Sequence, residues 1–563
     1  MKLNKIWMAA VVVGTVGATA CKKEGFISYN TNPGTIYNLK PDEQFANAVV
    51  ATFEADFEYY YDYYRIMMPW MQYHTAQNGN GKTFMAEVGN FNQRRGYFYG
   101  RVGNVLTDVQ QIIDAMPAGE KEKFQHERAI ATILKVYYAV YTTDINGSMP
   151  YTQAFEARYG GTMTPAYDNQ QNLYNTFDAE LKASINTLKT ATGQASYGNA
   201  DMFYKGEPAN WIKAANALRV RIAMRLLKRD ATKAKAIATE ALANAAENFA
   251  GNADNLDFVT TGEHTGSQNN WDPTAAIFRA PKSLLDFLYA TNDPRLRMFF
   301  QKNSYTQENF DLAKAQEKLP PTAVFNPRQY VGSFASPDAA ANPANAKYYT
   351  TRTIRKNGAD LVLDTLSRVQ YRLFCPYSNG GNGLVTFPLL TYAELCFYRA
   401  ELAARSIVGA PGEAEGWYEK GVKASMAYYS QMAKDAAIVE YSEATEAEIN
   451  TAYEAPKVKW NAATGLEQIA VQSYIHFFKQ ANEGWSVYKR TGFPNPTSTI
   501  FPWERVMADG VEQIMPRRAI FNIPVSTDRN YTNAKAAFDE MAKDADFGQG
   551  PTDIYGRVWW DKK

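Results

Sequence analysis

The sequence predicts a mainly α-helical fold, in which paired helices form a scaffold around a loop-rich middle segment. Apolar residues recur at helical spacing along residues 43–250. Gly, Asn, Pro and Ser interrupt this pattern over residues 251–385, and helical spacing returns over residues 386–563. Because short links join the helices, we expect neighbours to stack as antiparallel pairs. The three ranges are predicted to be an N-terminal helical region, a candidate ligand-binding region, and a C-terminal helical region that completes the same fold.

Residues 1–20 have the pattern of a bacterial export signal. Two lysines precede an apolar run that ends at Ala20 and is too short to cross a bilayer comfortably. The string Ala18-Thr19-Ala20-Cys21 resembles a lipoprotein cleavage box, although Ala18 stands where a leucine is usual. We therefore expect Cys21 to become the lipidated first residue of a protein that is exported and tethered to a membrane. An ordinary signal peptide cut near Ala20 is the alternative.

Residues 21–42 are predicted to be the lipidated N-terminus and a tether. They are rich in Asn, Gly, Pro and Lys, a composition that is typical of linkers. The tether leads from the membrane anchor into the helical region.

Three apolar faces define helices within residues 43–250. They are Ile130, Ile133, Leu134, Tyr137 and Tyr141; then Tyr174, Phe177, Leu181, Ile185 and Leu188; then Trp211, Ala215, Leu218, Ile222 and Leu226. Glu207-Pro208 predicts the start of the third helix, because proline favours the first helical position. An alanine-rich helix is predicted over residues 231–247.

The middle segment contains one hairpin signal. Residues 347–355 and 361–366 are strand-like, and Asn357-Gly358 between them favours a tight turn. A long irregular segment on a helical frame is typical of binding loops. We therefore expect minor β-hairpins and the ligand site in this part of the chain.

The C-terminal region is predicted to be helical again, beginning with a helix over residues 388–406. A second helix follows the break at residues 410–412, and another is predicted over residues 465–481. Cys396 lies inside the first of these helices and is expected to be a buried apolar residue. A disulfide between Cys375 and Cys396 is left open by the sequence.

The charge balance argues against a nucleic-acid partner. The chain has 59 basic and 58 acidic residues, a net charge of +1, and no basic stripe that could neutralise phosphates. Aromatic residues make up 14% of the chain, with 37 tyrosines and 10 tryptophans. Because these rings stack on sugars and suit wet interfaces, the composition favours an uncharged partner or one recognised by shape.

The sequence lacks the common catalytic and metal-binding motifs. Residues 76–83 end like a phosphate-binding loop, but Ala76 replaces its first glycine. No Gly-x-Ser-x-Gly or His-Glu-x-x-His string occurs. The four histidines are far apart: His74, His126, His264 and His476. We therefore predict no enzymatic activity, no metal and no cofactor, while a glycosidase carboxylate pair stays an alternative.

A set of short strings follows one order along the chain. Gly147-Ser148-Met149-Pro150-Tyr151-Thr152-Gln153-Ala154 has the pattern G-x-x-P-Y-x-x-A. The other strings are the run 164–181; Trp211, Asn216, Leu218, Arg219 and Arg221; Asp293-Pro294-Arg295-Leu296; the run 387–401; Trp485 with the run 488–492; and Arg557-Val558-Trp559-Trp560-Asp561. In this order they resemble the SusD/RagB-like outer-membrane lipoproteins of Bacteroidetes-type bacteria, and the Arg-Val-Trp-Trp ending resembles the branch described as SusD-like nutrient-binding lipoproteins.

The resemblance implies a mainly α fold with four tetratricopeptide-like helix pairs as scaffold and a loop-rich ligand-binding region. It implies capture of a nutrient at the cell surface, most often an oligosaccharide. It also implies a partner, a SusC-like TonB-dependent transporter, which the protein covers as a lid and supplies with ligand without a chemical step. Most matching strings are expected to be structural, and Trp559 and Trp560 are expected to close the fold.

Candidate ligand-contacting residues are aromatic side chains beside amides, because sugars need a flat apolar face and nearby hydrogen-bonding groups. The candidates are Trp70, Tyr73, His74, Asn270, Trp271, Tyr330 and Tyr377. For Trp70 a core position is an equal alternative, because the neighbouring Met67 and Met68 favour burial. Trp271 has polar residues on both sides.

Three other functions stay open at this stage. Peptide capture by a SusD-like protein uses the same aromatic and amide groups as glycan capture. A scaffold that binds only protein would need the helix pairs alone, and a glycoside hydrolase would need two facing carboxylates.

Overall fold

The computed structural model describes residues 39–53, 57–75, 88–260, 278–348, 350–375 and 384–563. Over these residues the chain is mainly helical with three small antiparallel sheets. The predicted mainly α fold with minor hairpins is confirmed.

The longer α-helices run in chain order through both helical regions. They are α1 Pro41–Phe53, α2 Gly103–Asp114, α3 Gln125–Asn146, α4 Gln170–Thr190, α5 Pro208–Leu226, α6 Ala231–Ala241, α7 Lys282–Ala290, α8 Gln307–Ala315, α9 Tyr392–Ala404, α10 Ala414–Asp435, α11 Glu446–Tyr453, α12 Gly465–His476, α13 Ala481–Thr491 and α14 Tyr531–Met541. Short α-helices are Met68–Trp70, Gln93–Tyr97, Ala118–Lys121, Arg295–Phe299 and Pro337–Ala341, and π-helices are Glu58–Met67 and Phe98–Val102.

Consecutive helices pack against each other, as the short links predicted. Such neighbours include α1 with α2, α2 with α3, α3 with α4, α4 with α5, α5 with α6, α9 with α10, and α12 with α13. The predicted apolar faces point into these contacts: Tyr174, Phe177 and Leu181 of α4 are fully buried, and so are Trp211 and Leu218 of α5. Burial of an apolar stripe against a neighbour is what stabilises each pair.

The hairpin lies close to its predicted position. Strands β2 (Thr351–Lys356) and β3 (Ala359–Asp364) pair antiparallel, and their turn is Asn357-Gly358. Both turn residues have positive φ, 50° and 78°, which is the backbone of the turn that Asn-Gly favours. The residues before β2 form a 3-10 helix, Pro343–Tyr348, instead of the earlier strand start that the sequence predicted.

The helix predicted from residue 388 begins later, at Tyr392. Residues Thr386–Leu390 form strand β4, which pairs antiparallel with β1 (Leu256–Val259). Thr391 then starts α9, because its hydroxyl accepts a hydrogen bond from the backbone N–H of Glu394 at 3.2 Å. The partner strand lies more than one hundred residues earlier, so local periodicity could not reveal it. The last pair, β5 (Met507–Ala508) and β6 (Val511–Glu512), is a minimal hairpin.

Two large hydrophobic clusters form the core. The first joins α1 to α6 with β1, β4 and the C-terminal Trp560. The second joins the π-helix Glu58–Met67 and α7 with α10, α11, α12 and α13. Each cluster therefore contains residues from both the range 43–250 and the range 386–563.

The two cysteines among the described residues form no disulfide with each other. Cys375 and Cys396 are both buried with their thiols intact, which decides the alternative that the sequence left open. Cys396 is an apolar core residue as predicted, and burial raises the pKa of its thiol to about 12.

A buried network of charges joins four helices across the two clusters. Arg225 of α5 contacts Asp144 of α3 at 2.9 Å and Glu483 of α13 at 2.6 Å. Arg221, one turn earlier, contacts Glu394 of α9 at 2.6 Å and Glu483 at 3.5 Å. All five side chains are at most 3% exposed. Each carboxylate in the network thus has a guanidinium partner.

The C-terminal tryptophans complete this core. The Trp560 indole donates to the backbone oxygen of Asp144 at 3.1 Å, and its backbone N–H donates to Gln170 at 3.0 Å. Trp559 is half-buried, with the Arg229 guanidinium 5.8 Å from its ring centre. Trp560 therefore packs the end of the chain against α3 and α4.

We predict that Arg225→Met lowers the free energy of unfolding by about 3–5 kcal/mol, because it leaves Asp144 and Glu483 buried without this cation. The matched control is Lys535→Ala, which removes the exposed pair of Lys535 with Asp539 at 2.6 Å and costs less than about 1 kcal/mol. Guanidinium chloride unfolding of both variants measures the difference. Equal losses in the two variants would contradict a structural role for the network.

Candidate functional site

The π-helix Glu58–Met67 and the residue before it carry a group of accessible aromatic side chains. Phe57 is 46% exposed, and Tyr60 and Tyr61 are half-buried. The ring centres of Tyr60 and Tyr61 lie 4.9 Å apart with the rings nearly perpendicular, and those of Phe57 and Tyr61 lie 5.9 Å apart. Arg65 donates to the Tyr60 hydroxyl at 2.8 Å. We call Phe57, Tyr60 and Tyr61 the aromatic surface.

The other side of the same π-helix is held by buried polar contacts. Glu58 pairs with Arg94 at 2.6 Å and accepts a hydrogen bond from Tyr138 at 3.1 Å. The Arg94 guanidinium lies 3.9 Å from the centre of the Tyr138 ring. Tyr63 donates to Asn482 of α13 at 2.9 Å. These contacts fix the direction in which Tyr60 and Tyr61 point.

Asp62 anchors the chain segment that follows. Its carboxylate accepts hydrogen bonds from the backbone N–H groups of Asn92, Gln93 and Arg94 at 3.1–3.2 Å. Burial, with Glu58 nearby, raises the pKa of Asp62 to about 8 despite these hydrogen bonds. The carboxyl group therefore serves as a structural link inside the fold.

Backbone hydrogen bonds join described residues that flank three segments of the chain. Thr75, before residues 76–87, and Arg279, after residues 261–277, exchange two backbone hydrogen bonds of 2.9 Å. The backbone N–H of Thr260, before residues 261–277, donates to the backbone oxygen of Val385, after residues 376–383, at 2.9 Å. Each of the two contacts thus joins described residues that flank different segments.

Tyr64 connects the π-helix to residues that flank these segments. Its ring centre lies 5.4 Å from that of Phe278, just after residues 261–277, and 5.8 Å from that of Phe374, just before residues 376–383. Both contacts are edge-to-face, a favourable arrangement for aromatic pairs. Tyr60 of the aromatic surface lies about one turn before Tyr64 in the same π-helix.

Trp70, Tyr73 and His74, predicted to contact ligand, are buried in the second hydrophobic cluster or stacked beside it. All three are at most 6% exposed. Tyr73 stacks on Tyr474 with ring centres 4.6 Å apart and donates to the backbone oxygen of that residue at 2.7 Å. A side-chain carbon at Gly484 would lie 2.0 Å from the Tyr73 hydroxyl, so the close fit requires glycine. For Trp70 the core position that the sequence left as an alternative is the one observed.

His74 stacks on Phe278, with ring centres 3.8 Å apart and planes 14° from parallel. It therefore supports, from inside, the chain end at which residues 261–277 rejoin the described fold. Tyr330 is half-buried against the second cluster, and burial raises the pKa of its hydroxyl to about 12. Its backbone oxygen accepts a hydrogen bond from Arg328 at 2.7 Å.

Asn270, Trp271, Tyr377 and Cys21 lie outside the described residues, and their predicted roles stay predictions. Sequence reasoning missed the aromatic surface itself. Its signal was the run Tyr59-Tyr60-Tyr61 with Tyr63-Tyr64, but a tyrosine run does not reveal which rings face outward. The π-helix, which has a wider turn than an α-helix, decides that.

Within the described part of the chain, no group of three or more His, Cys, Asp or Glu side chains is arranged to hold a metal ion. In the same residues, none of the helices combines the length and the apolar composition that crossing a membrane requires.

The sequence model of one protein family, described as "Starch-binding associating with outer membrane", matches residues 35–317 and 335–522. The chain belongs to this SusD-like family. No curated protein matches it. The SusD-like resemblance of the short strings is thereby confirmed, and with it the family's association with the outer membrane.

Solved structures of SusD-like proteins share the fold. One named a chitin-binding protein has a TM-score of 0.71 at 21% identity and covers 93% of this chain and 100% of its own. A chitin-binding SusD homolog from Flavobacterium johnsoniae has a TM-score of 0.62 at 20% identity and covers 93% and 99%. A SusD homolog from Bacteroides uniformis has a TM-score of 0.64 at 21% identity and covers 93% and 100%. Identities this low establish the fold alone.

We predict that acid destabilises the folded protein partly through His74. Burial lowers the pKa of His74 to about 3, so the folded imidazole stays neutral while the unfolded one binds a proton below about pH 6.5. The free energy of unfolding then falls by about 1.4 kcal/mol per pH unit for this group. His74→Phe keeps the ring stack on Phe278 and should reduce the loss between about pH 6.5 and pH 5 by about 2 kcal/mol.

Urea unfolding at several pH values measures this difference. Above about pH 7.5 both proteins should show the same pH dependence, which serves as the internal control. If the free energy of unfolding falls equally in the two proteins as the pH is lowered, His74 binds its proton in the folded protein as well as in the unfolded one.

Proposed function

We propose that this SusD-like protein binds an oligosaccharide at the cell surface and delivers it to a SusC-like TonB-dependent transporter. The observation that carries the proposal is the aromatic surface, in a chain whose family is described as starch-binding and associated with the outer membrane. Two of the structurally similar proteins are named as chitin-binding, which supports a glycan ligand.

The chemistry of the aromatic surface suits a sugar. Phe57 and Tyr61 offer apolar ring faces on which the C–H groups of a pyranose can stack. The Tyr60 hydroxyl and the Arg65 guanidinium, 2.8 Å apart, supply polar groups for hydroxyls at the edge of a bound sugar. Because buried contacts of Glu58 and Tyr63 hold the π-helix, little ordering is needed when ligand binds.

Asn270, Trp271 and Tyr377 belong to the same proposed site. They lie on segments whose described flanking residues form the contacts Thr75–Arg279 and Thr260–Val385 and reach Tyr64 through Phe278. His74 contributes from the core by stacking on Phe278, Trp70 and Tyr73 are buried core residues, and Tyr330 stays a further candidate contact. No bond is made or broken in this proposal, in keeping with a family described by binding.

Membrane anchoring is the second part of the proposal. A lipid on Cys21 would hold the protein at the outer membrane, and residues 22–42 would connect the lipid to α1. A lid over a transporter must stay at the membrane while its binding face reaches ligand, and a tether satisfies both needs.

We predict that the double variant Tyr60→Ala/Tyr61→Ala weakens oligosaccharide binding at least about tenfold, because it removes the stacking faces. Trp271→Ala should weaken binding as well if the predicted segment contributes. Retention of each variant on a panel of immobilised oligosaccharides, followed by calorimetry with the ligand that the native chain retains, measures the effect.

Tyr159→Ala is the matched control, since Tyr159 is 40% exposed and lies outside the aromatic surface. Its binding should equal that of the native chain. Native-like binding by the double variant would remove the aromatic surface from the site. Retention of peptides and of no glycan would favour peptide capture instead.

We predict that Cys21→Ala releases the protein from the membrane without changing its affinity for ligand. The thioether-linked lipid needs the cysteine sulfur, whereas the aromatic surface lies in the folded part of the chain. Cell fractionation measures release, and calorimetry on the purified variant measures affinity. Membrane retention of Cys21→Ala would contradict lipid anchoring, and loss of ligand affinity would contradict the separation of tether and binding site.

A further inference from the structure

Two neighbouring cavities lie outside the aromatic surface. Cavity A, about 650 Å³, is bounded by α7, by the loop that carries Phe334, and by residues 501–507. Cavity B, about 480 Å³, is bounded by residues 303–310, by residues 319–331, and by the residues around Tyr348. Both volumes are within the range of ligand-binding clefts.

The two cavities share a wall. Phe334 of cavity A and Tyr348 of cavity B meet edge-to-face, with ring centres 5.7 Å apart. Asp286 of cavity A forms an ion pair with Arg328 of cavity B. A ligand chain that leaves one cavity over this wall therefore enters the other.

Three aromatic rings along the pair of cavities are accessible. Phe334, Tyr348 and Phe325 are each half-buried, and Phe325 rests on the buried Phe310 with ring centres 5.5 Å apart. By contrast, Phe501 and Trp503 are almost fully buried and form the floor of cavity A. The accessible rings can stack on a ligand, and the buried ones hold the cavity open.

The mouth of cavity A is fixed by hydrogen bonds before any ligand arrives. Glu504 accepts from the backbone N–H groups of Ala335 and Ser336 at 2.6 and 3.1 Å. Asp338 accepts from the backbone N–H groups of Asp509 and Gly510, both at 2.8 Å. These contacts join the loop after Phe334 to the β5–β6 hairpin, so the cavity is preformed.

The charges that line the cavities are largely compensated. Asp286 pairs with both Lys282 and Arg328, and Arg505 pairs with Glu512 at 2.9 Å. Both lining arginines in the described residues therefore have carboxylate partners. An acidic ligand would therefore find no unpaired guanidinium group for bidentate recognition in the described lining, and the remaining lining cations, Lys347 and Lys457, are exposed, so the lining favours a neutral ligand.

Polar groups in cavity B suit hydroxyl-rich ligands. Asn326 is exposed, and its side-chain oxygen accepts from the backbone N–H of Arg328 at 3.0 Å, which leaves its amide N–H groups available. Lys347 lies 5.4 Å from the centre of the Tyr348 ring, beside the same cavity. Stacking faces next to amide groups are the combination that a sugar chain requires.

We propose that cavities A and B form a second binding site, which takes a neutral oligosaccharide chain stacked on Phe334, Tyr348 and Phe325. The ligand class rests on the proposed glycan-binding function, whereas the site itself is separate from the aromatic surface. A polymer that occupies both sites binds more tightly than a short oligosaccharide, because the second contact becomes intramolecular.

The experiment compares polymers with short chains in five proteins. They are the native chain, Phe334→Ala/Tyr348→Ala, Tyr348→Ala, Tyr348→Phe, and the control Tyr159→Ala, and the probes are soluble starch, maltotriose, colloidal chitin, chitotriose and the acidic polymer polygalacturonate. We expect the double variant to bind the neutral polymer that the native chain retains at least about tenfold more weakly, with a smaller change for the trisaccharide. Tyr348→Ala removes one half-buried ring and should weaken polymer binding as well, so it tests the site even if the double variant folds poorly. Tyr348→Phe keeps the ring and should bind like the native chain.

The outcomes separate the two proposals. A native chain that binds neither neutral polymer contradicts the proposed function and this inference together. If the double variant binds both the polymer and the trisaccharide as tightly as the native chain does, this inference is overturned and the proposed function stays intact. If Tyr348→Phe binds the polymer more weakly than the native chain does, the contact depends on the Tyr348 hydroxyl. That result would overturn stacking of the ligand on the ring. Retention of polygalacturonate that is lost in the Phe334→Ala/Tyr348→Ala variant would overturn the neutral ligand class.

Discussion

The fold depends on the buried charge network of Asp144, Arg221, Arg225, Glu394 and Glu483. Burying five charged groups is costly, and the cost is offset only when every group has a partner at hydrogen-bonding distance. The partners sit on α3, α5, α9 and α13, so the charges are satisfied only when the N-terminal and C-terminal helices come together. Burial raises the pKa of a carboxyl group, yet the two arginines hold the pKa of Glu483 below its usual value. The network thereby specifies how the two halves of the chain meet.

The aromatic surface is connected to this network through a short path. Tyr63 donates to Asn482 at 2.9 Å, and Asn482 donates to Glu483 at 3.2 Å. The π-helix that presents Tyr60 and Tyr61 is therefore held by the contacts that join the helices. A binding surface fixed in this way keeps its rings in place between binding events, which reduces the ordering cost of capturing a flexible glycan. The hydrogen bonds that preform the mouth of cavity A reduce the ordering cost in the same way, at a different place in the fold.

Much of the scaffold could be predicted, because the apolar faces of α3, α4 and α5 repeat with the local period of a helix and must be buried somewhere. The turn at Asn357-Gly358 was equally local, since its backbone requires two positive φ angles. Strand β4 was not predictable in the same way, because its hydrogen bonds go to β1, far away in the chain. The candidate site was harder still: Trp70, Tyr73 and His74 have the composition of a sugar site, yet they are buried.

The sequence by itself determined the helical class and the family, since these rest on local patterns and an ordered set of strings, and it predicts the lipid anchor at Cys21. Only the tertiary structure decided which aromatic residues reach solvent. Tyr73 is covered because it stacks on Tyr474 above Gly484, four hundred residues later, whereas Tyr60 and Tyr61 stay accessible on the outer side of a π-helix. The physical reason is that contacts between distant segments decide which side chains are buried, whereas residue type sets only how often a side chain is found buried.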